Sequence, residues 1–322
     1  MGKTIVIALG GNAILQSGQE GTYENQLNNI RKSSKFLAKL IKDGHRIMIT
    51  HGNGPQVGNI LRQNEEAADV VPSMPLDVLN SQSQGFIGYM LVDCLEKELI
   101  TLGVDVPVVN LLTRVKVSIE DEDFKEPSKP IGMFYTEREA EELALEKGWD
   151  MREEFGRGWR RIVPSPKPLQ ILEAKTIQSL AEAGNVVIAC GGGGIPVTTT
   201  ADGMVEGVEA VIDKDRSSCQ LAKEVNADIF MILTDVENVF VNYGTPEQMA
   251  LQEISVDQLE HHVTQGQFTK GSMGPKVESA LGYARQNGTA IICSLEKADA
   301  ALLGKCGTII TKQRSRQILE NK

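Results

Sequence analysis

Three lysines in this chain stand where they could neutralise a phosphate. Lys129 lies between Pro127 and Pro130, Lys214 precedes Asp215 in AVIDKD, and Lys276 follows Gly274 and Pro275. Three glycine-rich turns accompany them: LGGN at Leu9 to Asn12, HGNGP at His51 to Pro55, and CGGGGIP at Cys190 to Pro196. Each turn follows an apolar, strand-like run. A glycine turn at the carboxyl end of a strand lets backbone N–H groups approach an anion with no Cβ in the way, and the helix that follows adds its positive end. A transferring phosphoryl group spreads negative charge over its equatorial oxygens, so its catalysis consists of positioning and of stabilisation by cations and N–H donors. Phosphoryl transfer is therefore the chemistry that these residue types could perform together.

Two of the lysines also have a plainer reading. Lys214 and Asp215 could be an exposed pair of neighbouring charges, and Lys276 an ordinary solvated lysine. Against the second stands its place at a predicted helix start, where a lysine beside the positive end of the helix dipole is unfavourable unless an anion is near. The prolines around Lys129 stiffen its loop and limit the entropy lost when the ammonium is held at a site. Trp159, in the basic stretch GRGWRRIVPSP, reads as packing. Arg157, Arg160 and Arg161 beside it have no assigned role, and at least two of them read as a solvated basic face.

The elements that must position these residues alternate along the chain. Lys3 to Leu9 reads as a buried strand, followed by a helix with Leu27, Ile30, Leu37 and Ile41 inward and closed by Gly44. Arg46 to Thr50 is a second strand that delivers HGNGP, with Pro55 suited to a first helical turn. A longer helix over Leu76 to Leu99 ends near Gly103, and the apolar run Val104 to Val109 predicts a third strand. From Glu173 a helix leads to the strand Asn185 to Cys190 and the GGGG turn. A helix near Ser217 to Val225 and the strand Asp228 to Thr234 follow. The helix Pro275 to Gln286 precedes the strand Thr289 to Cys293, and Gly307 to Thr311 is expected to close the sheet. This alternation predicts an α/β fold, a mostly parallel sheet covered on both faces, with its site at the carboxyl ends of the strands. Residues 117–168 interrupt it with acidic residues, PSKPIG, a short helix near Glu137 to Lys147 and the basic stretch, and read as an inserted subdomain within a single domain of residues 1–322.

At 322 residues, 41% of them hydrophobic, the chain can build a substantial core without staples. A net charge of −10 argues against nucleic acid or an anionic membrane as the main partner. Five cysteines without C-x-x-C spacing, no apolar run of membrane-spanning length and no signal-peptide profile predict a cytoplasmic protein with reduced thiols. Cys190, at a strand end, reads as a small buried hydrophobe rather than a nucleophile. No G-x-x-x-x-G-K-[ST] occurs, and Gly52-x-Gly54-x-x-x-Gly58 has one residue too many for a dinucleotide turn. The absence of Gly-x-Ser-x-Gly and His-Glu-x-x-His, and of metal-site spacing among His45, His51, His261 and His262, removes hydrolase and zinc readings.

Taken in order, ALGGNA, HGNGPQVG, SQGFIGYM, PSKPIGMFY, GRGWRRIVPSPKP, GGGGIPV, AVIDKD, MILTDV and GSMGPKV resemble the carbamate kinase family from the first strand to the last. The resemblance implies the amino-acid-kinase fold, a three-layer αβα sandwich with a small protruding subdomain, and a homodimer. The implied reaction interconverts carbamoyl phosphate and ADP with ATP and carbamate. It also implies roles. Lys214 would be a phosphate ligand, Asp215 an organiser of the lysines, and Lys276 a ligand of the nucleotide's phosphates, with Lys129 reaching in from the subdomain. Gly10, Gly11, Asn12, Gly52 and Asn53 would bind carbamate and the transferred group, Gly191, Gly192 and Gly193 the other phosphates, and Asp235 would border the adenine pocket. Magnesium is expected on the nucleotide, with no protein ligand named. Carbamate is already an anionic nucleophile, so no general base is required. Many members of the wider superfamily carry Lys just before the first LGG; Ala8 stands there in this chain, which agrees with carbamate kinases and leaves a missing cation for Lys129 to supply. ATP synthesis would suit arginine fermentation, and the reverse direction would use the same residues. Two other readings are the alternatives: an amino-acid-kinase-type enzyme acting on another carboxylate such as N-acetylglutamate or on UMP, and a silent nucleotide-binding protein.

Overall fold

The computed structural model describes residues 2–16, 18–268, 273–286 and 288–313. Gly271 and Ser272 of the GSMGPKV segment lie outside the described residues. Eight apolar runs pair into one sheet: β1 (Thr4–Leu9), β2 (Arg46–His51), β3 (Val108–Asn110), β4 (Val186–Ile188), β5 (Ile229–Thr234), β6 (Glu253–Ser255), β7 (Thr289–Ser294) and β8 (Thr308–Thr311). Their order is β6-β8-β7-β5-β1-β2-β4-β3, and every neighbouring pair is parallel except β7 with β8.

Strands covered on both faces must be apolar at successive positions. Val6, Ala8, Phe230 and Ile232 point into one core and Ile5, Ile7, Leu9, Met231 and Leu233 into the other. The helices are α1 (Tyr23–Lys42), α2 (Gly54–Glu66), α3 (Leu76–Thr101), α4 (Glu137–Lys147), α5 (Ala174–Glu182), α6 (Lys214–Glu224), α7 (Val256–Thr264), α8 (Met273–Ala284) and α9 (Ala298–Leu302). The first core is covered by α5, α6, α7 and α8 through Ile177, Leu221, Leu259 and Ala280. The second is covered by α1, α3 and α9 through Leu37, Leu91 and Ala301. The result is the αβα sandwich that the alternation predicts.

Two strand expectations need correction. The third strand begins at Val108, not Val104, because Pro107 has no N–H to give the ladder and the Val104 N–H is already used to close α3 on Leu99 O at 2.9 Å. Nor does the last strand close the sheet: β8 inserts between β7 and β6, and the three-residue β6 forms the edge.

Within residues 117–168, the strands Lys129–Tyr135, Gly158–Val163 and Met151–Glu154 form a three-stranded antiparallel sheet with Gly158–Val163 in the middle. Helix α4 accompanies it, opened by a capping box between Thr136 and Glu139. This sheet docks on α2 at very close range: a Cβ on Gly58 would lie 2.8 Å from the Gly132 Cα. Val57 and Leu61 of α2 pack there with Leu76, Leu79, Ile131, Val163 and Val211 in a separate apolar cluster.

Candidate active site

Strands β5, β1, β2 and β4 lie side by side and run the same way, so the turns at their carboxyl ends share one edge. Asp235, Gly10, Gly52 and Gly191 follow those strands. Opposite this edge stands the amino end of α6. Asp213 caps it, its Oδ1 accepting from the backbone N–H of Asp215 at 2.9 Å and of Arg216 at 3.4 Å. Ser217 Oγ donates to Gly193 O at 2.6 Å, and Ser218 Oγ lies 2.5 Å from Thr50 Oγ1. The helix end is thereby fixed to the glycine turn after β4 and to β2.

Three ammonium groups meet at this helix end from three distant segments. Lys214 pairs with Oδ1 of Asp215, and Lys276 Nζ lies 3.4 Å from Oδ2 of the same carboxylate. Lys129 Nζ, from the inserted sheet, lies 3.2 Å from Asp213 Oδ2. Asp215 is buried, and the lysine side chains retain 13%, 17% and 28% of their surface for Lys214, Lys276 and Lys129, enough for each to meet a ligand. Burial opposes ionisation of Asp213, but the charges of Lys129 and Lys214 outweigh it and hold the carboxyl well below the usual carboxylate range. Two carboxylates thus hold three cations together, and the net positive charge sits where a helix dipole and glycine turns already favour an anion.

Of the residues named for the acceptor end, Gly11 and Asn12 are exposed in a short 3-10 turn, and Asn12 Nδ2 donates to Asp235 Oδ2 at 3.3 Å. Asn53 faces inward. Its Nδ2 donates to Asn80 Oδ1 at 3.0 Å and to Ser83 Oγ at 2.7 Å, so its backbone rather than its amide hydrogens is available to a ligand. In the CGGGG turn, a Cβ on Gly191 would meet His51 Nε2 at 2.5 Å, and one on Gly192 would meet Asn53 Nδ2 at 2.2 Å. Close packing of neighbouring side chains is therefore a reason for these two glycines that phosphate approach does not include. Cys190 enters the turn at φ 50 and is fully buried, and burial pushes its thiol well up, which leaves it an inert packing residue.

A cavity of ≈490 Å³ opens beside the lysines. Gly10, Asn12, Asp235 and Lys276 line it, together with Lys32 and Phe36 of α1, which no sequence motif singled out. Asp213 was missed as well. Its signal was the preference of Asp for the N-cap position, which becomes informative only when α6 is known to begin at Lys214. The arginines also differ from expectation. Arg157 is solvated, with 67% of its side chain exposed, whereas Arg160 and Arg161 keep only 20% and 14%. Arg160 Nη2 donates to Pro130 O at 3.3 Å and Arg152 Nη2 to Pro127 O at 2.9 Å, fastening both prolines that flank Lys129.

A parallel αβα sheet whose carboxyl edge gathers three lysines under glycine turns defines a phosphotransferase. The sequence profile of the amino acid kinase family matches residues 3–294. Carbamate kinase of Pyrococcus furiosus is 50% identical over 311 residues, 96% of this chain and 99% of that protein. Carbamate kinase of Clostridium perfringens is 46% identical over 313 residues, again 96% and 99% of the two chains. The solved structure of Giardia lamblia carbamate kinase bound to AMP-PNP is 44% identical, with a TM-score of 0.92 over 97% of this chain and 99% of that one. The chain belongs to the amino acid kinase family, and within it to the carbamate kinases.

Proposed function

We infer that this protein transfers a phosphoryl group reversibly between carbamoyl phosphate and ADP, giving ATP and carbamate. The observation that carries the reading is the convergence of Lys129, Lys214 and Lys276 on Asp213 and Asp215. Such a cluster holds its charges in place before the phosphates arrive, so little reorganisation is needed when charge builds on the transferring group. In the ATP-consuming direction a carbamate oxygen attacks the terminal phosphorus in line as the bond to the ADP oxygen breaks; the reverse reaction retraces this path. Gly11, Asn12, Gly52 and Asn53 would hold the carbamate end through N–H groups, above Gly10, whose own N–H is taken by Leu233 O at 2.9 Å, and Lys129 would cover the transferring group. Lys214 and Lys276 would take the nucleotide's phosphates, and the cavity beside Asp235 would take the rest of the nucleotide. Gly191, Gly192 and Gly193 would shape the wall behind the phosphates.

Among the described residues no cluster of three or more His, Cys, Asp or Glu could hold a metal; Asp213 and Asp215 are engaged by lysines and Asp235 by Asn12. That donor set fits a magnesium ion that arrives on the nucleotide's phosphate oxygens, where it would neutralise part of their charge. No described helix is long and apolar enough to cross a membrane. The enzyme would work in the cytoplasm. The protein would act as a homodimer.

The test is ATP formation by the purified protein from ADP, magnesium and carbamoyl phosphate, with acetyl phosphate, N-acetylglutamyl phosphate and UDP as parallel donors. Activity mainly with carbamoyl phosphate is expected; activity confined to another donor would leave the family intact and overturn the substrate.

A further inference from the structure

The proposed mechanism asks Lys129 to deliver its charge from a small sheet that is attached to the body of the protein at its edge. Apolar packing on α2 brings the two together, but such contact is non-directional and does not by itself fix where a lysine head group stops. Directional links come from Lys147 with Glu65, from the Val211 N–H donating to Pro164 O at 2.9 Å, and from Arg161 with Glu209. Arg161 lies opposite Ile131 in the inserted sheet, two positions along from the pair that Lys129 makes with Val163. Its guanidinium lies against the Trp149 ring, 4.4 Å from the centroid, and its Nη2 donates to Glu209 Oε2 at 3.0 Å. The other oxygen of the same carboxylate, Oε1, accepts the Leu76 backbone N–H at 2.8 Å, at the first residue of α3. Glu209 thus holds the body with one oxygen and the inserted sheet with the other. The carboxylate also sits at the positive end of α3, where no side chain of the preceding Pro75 caps the helix.

We propose that Glu209 is a positioning residue for Lys129, acting through Arg161 to fix the inserted sheet, and with it the lysine, at the distance phosphoryl transfer requires. The proposal rests on the role given above to Lys129. Glu209→Gln separates the two bonds: its amide oxygen still accepts from Leu76, while its NH2 group can only repel the Arg161 donor. Lys129→Ala should lower turnover on the order of 10², comparable to removing one preorganised charge-stabilising donor. Glu209→Gln leaves the lysine present but loosely placed, and should lower kcat about tenfold, short of the roughly hundredfold cost of a 1 Å misplacement. The KM for ADP, which depends on Lys214 and Lys276, should not move, and neither should the thermal midpoint.

The deciding measurement is kcat and KM for the two single variants and the double variant. If Glu209 acts through Lys129, Glu209→Gln costs nothing further once Lys129 is alanine. An equal loss in both backgrounds would make Glu209 a merely structural residue and overturn the proposal. So would unchanged kcat in Glu209→Gln beside a large loss in Lys129→Ala. Full activity in Lys129→Ala would instead overturn the role of the lysine itself, and the proposal with it.

Discussion

His51 ends β2 with no exposed surface, directly behind the glycine turns of the site. Its Nδ1 donates to Gly52 O at 2.9 Å, and its Nε2 is sealed against Gly191 without a hydrogen-bond partner. Burial lowers its pKa to about 4, and the bond to Gly52 O only partly offsets that. The imidazole is therefore neutral in the folded protein while the unfolded chain takes up a proton at its ordinary value of 6.5. Between about 6.5 and 4 the unfolded state binds more protons, so this residue makes stability fall as pH falls, by on the order of 3 kcal/mol in all. Denaturant unfolding at several pH values should show that slope in the wild type and a shallower one in His51→Gln; equal slopes would mean the ring is hydrated or charged in the folded state. The sequence placed His51 before a glycine turn but gave no sign of its burial, because Gly191, which seals it, comes from a distant part of the chain.

At the scale of the element, α6 does two jobs with one side chain. Asp213 caps the helix with Oδ1 and holds Lys129 with Oδ2. The two substitutions that separate these jobs are Asp213→Asn, which retains a cap acceptor, and Asp213→Ala, which does not. Both variants should lose the stabilisation that the ionised carboxylate draws from the lysines, and the alanine variant about 1 kcal/mol more, typical of a lost cap. Both should lose turnover to a similar extent, because both release Lys129. Thermal melts and kcat for the pair check this, and activity that followed stability would show that the helix end, not the lysine, governs catalysis. The helices and long strands were legible in the sequence because periodicity and caps are local. What was not legible came from pairing at a distance: β6 is too short to carry a pattern, and β8 finds its place beside β7 only once the whole sheet assembles. In the same way Lys214, Asp215 and Lys276 could be picked out as charges near turns. That Asp215 joins the two lysines, and that Arg160 and Arg161 are packed rather than solvated, depends on contacts between separate segments.

At the scale of the whole molecule, α3 carries exposed apolar side chains on the side turned away from the sheet. Leu91, Leu95 and Leu99 enter the core beneath the sheet. Val78, Gly85, Tyr89 and Ile100 lie on its other side at spacings that keep them on one helical face, with the exposed Glu96 among them. Tyr89 is 65% and Ile100 75% exposed, and nearby Leu112 is 50% exposed. A stripe of this kind is what a second copy would cover, and a self-complementary face along a helix of 26 residues is long enough to reach the roughly 800 Å² per partner of a standard interface. The three lysines and their carboxylates all come from one chain, so association is not needed to complete the site. Tyr89→Glu places a charge at the centre of the stripe, where burial without a partner is strongly unfavourable. Sedimentation should give two chains per particle for the wild type and one for the variant, with turnover per chain retained. A wild type that sediments as a single chain would remove the dimer from this account, and a variant that separates but loses activity would show that contact across α3 holds the turn at Asn53, through its bond to Ser83 of the helix, in its working geometry.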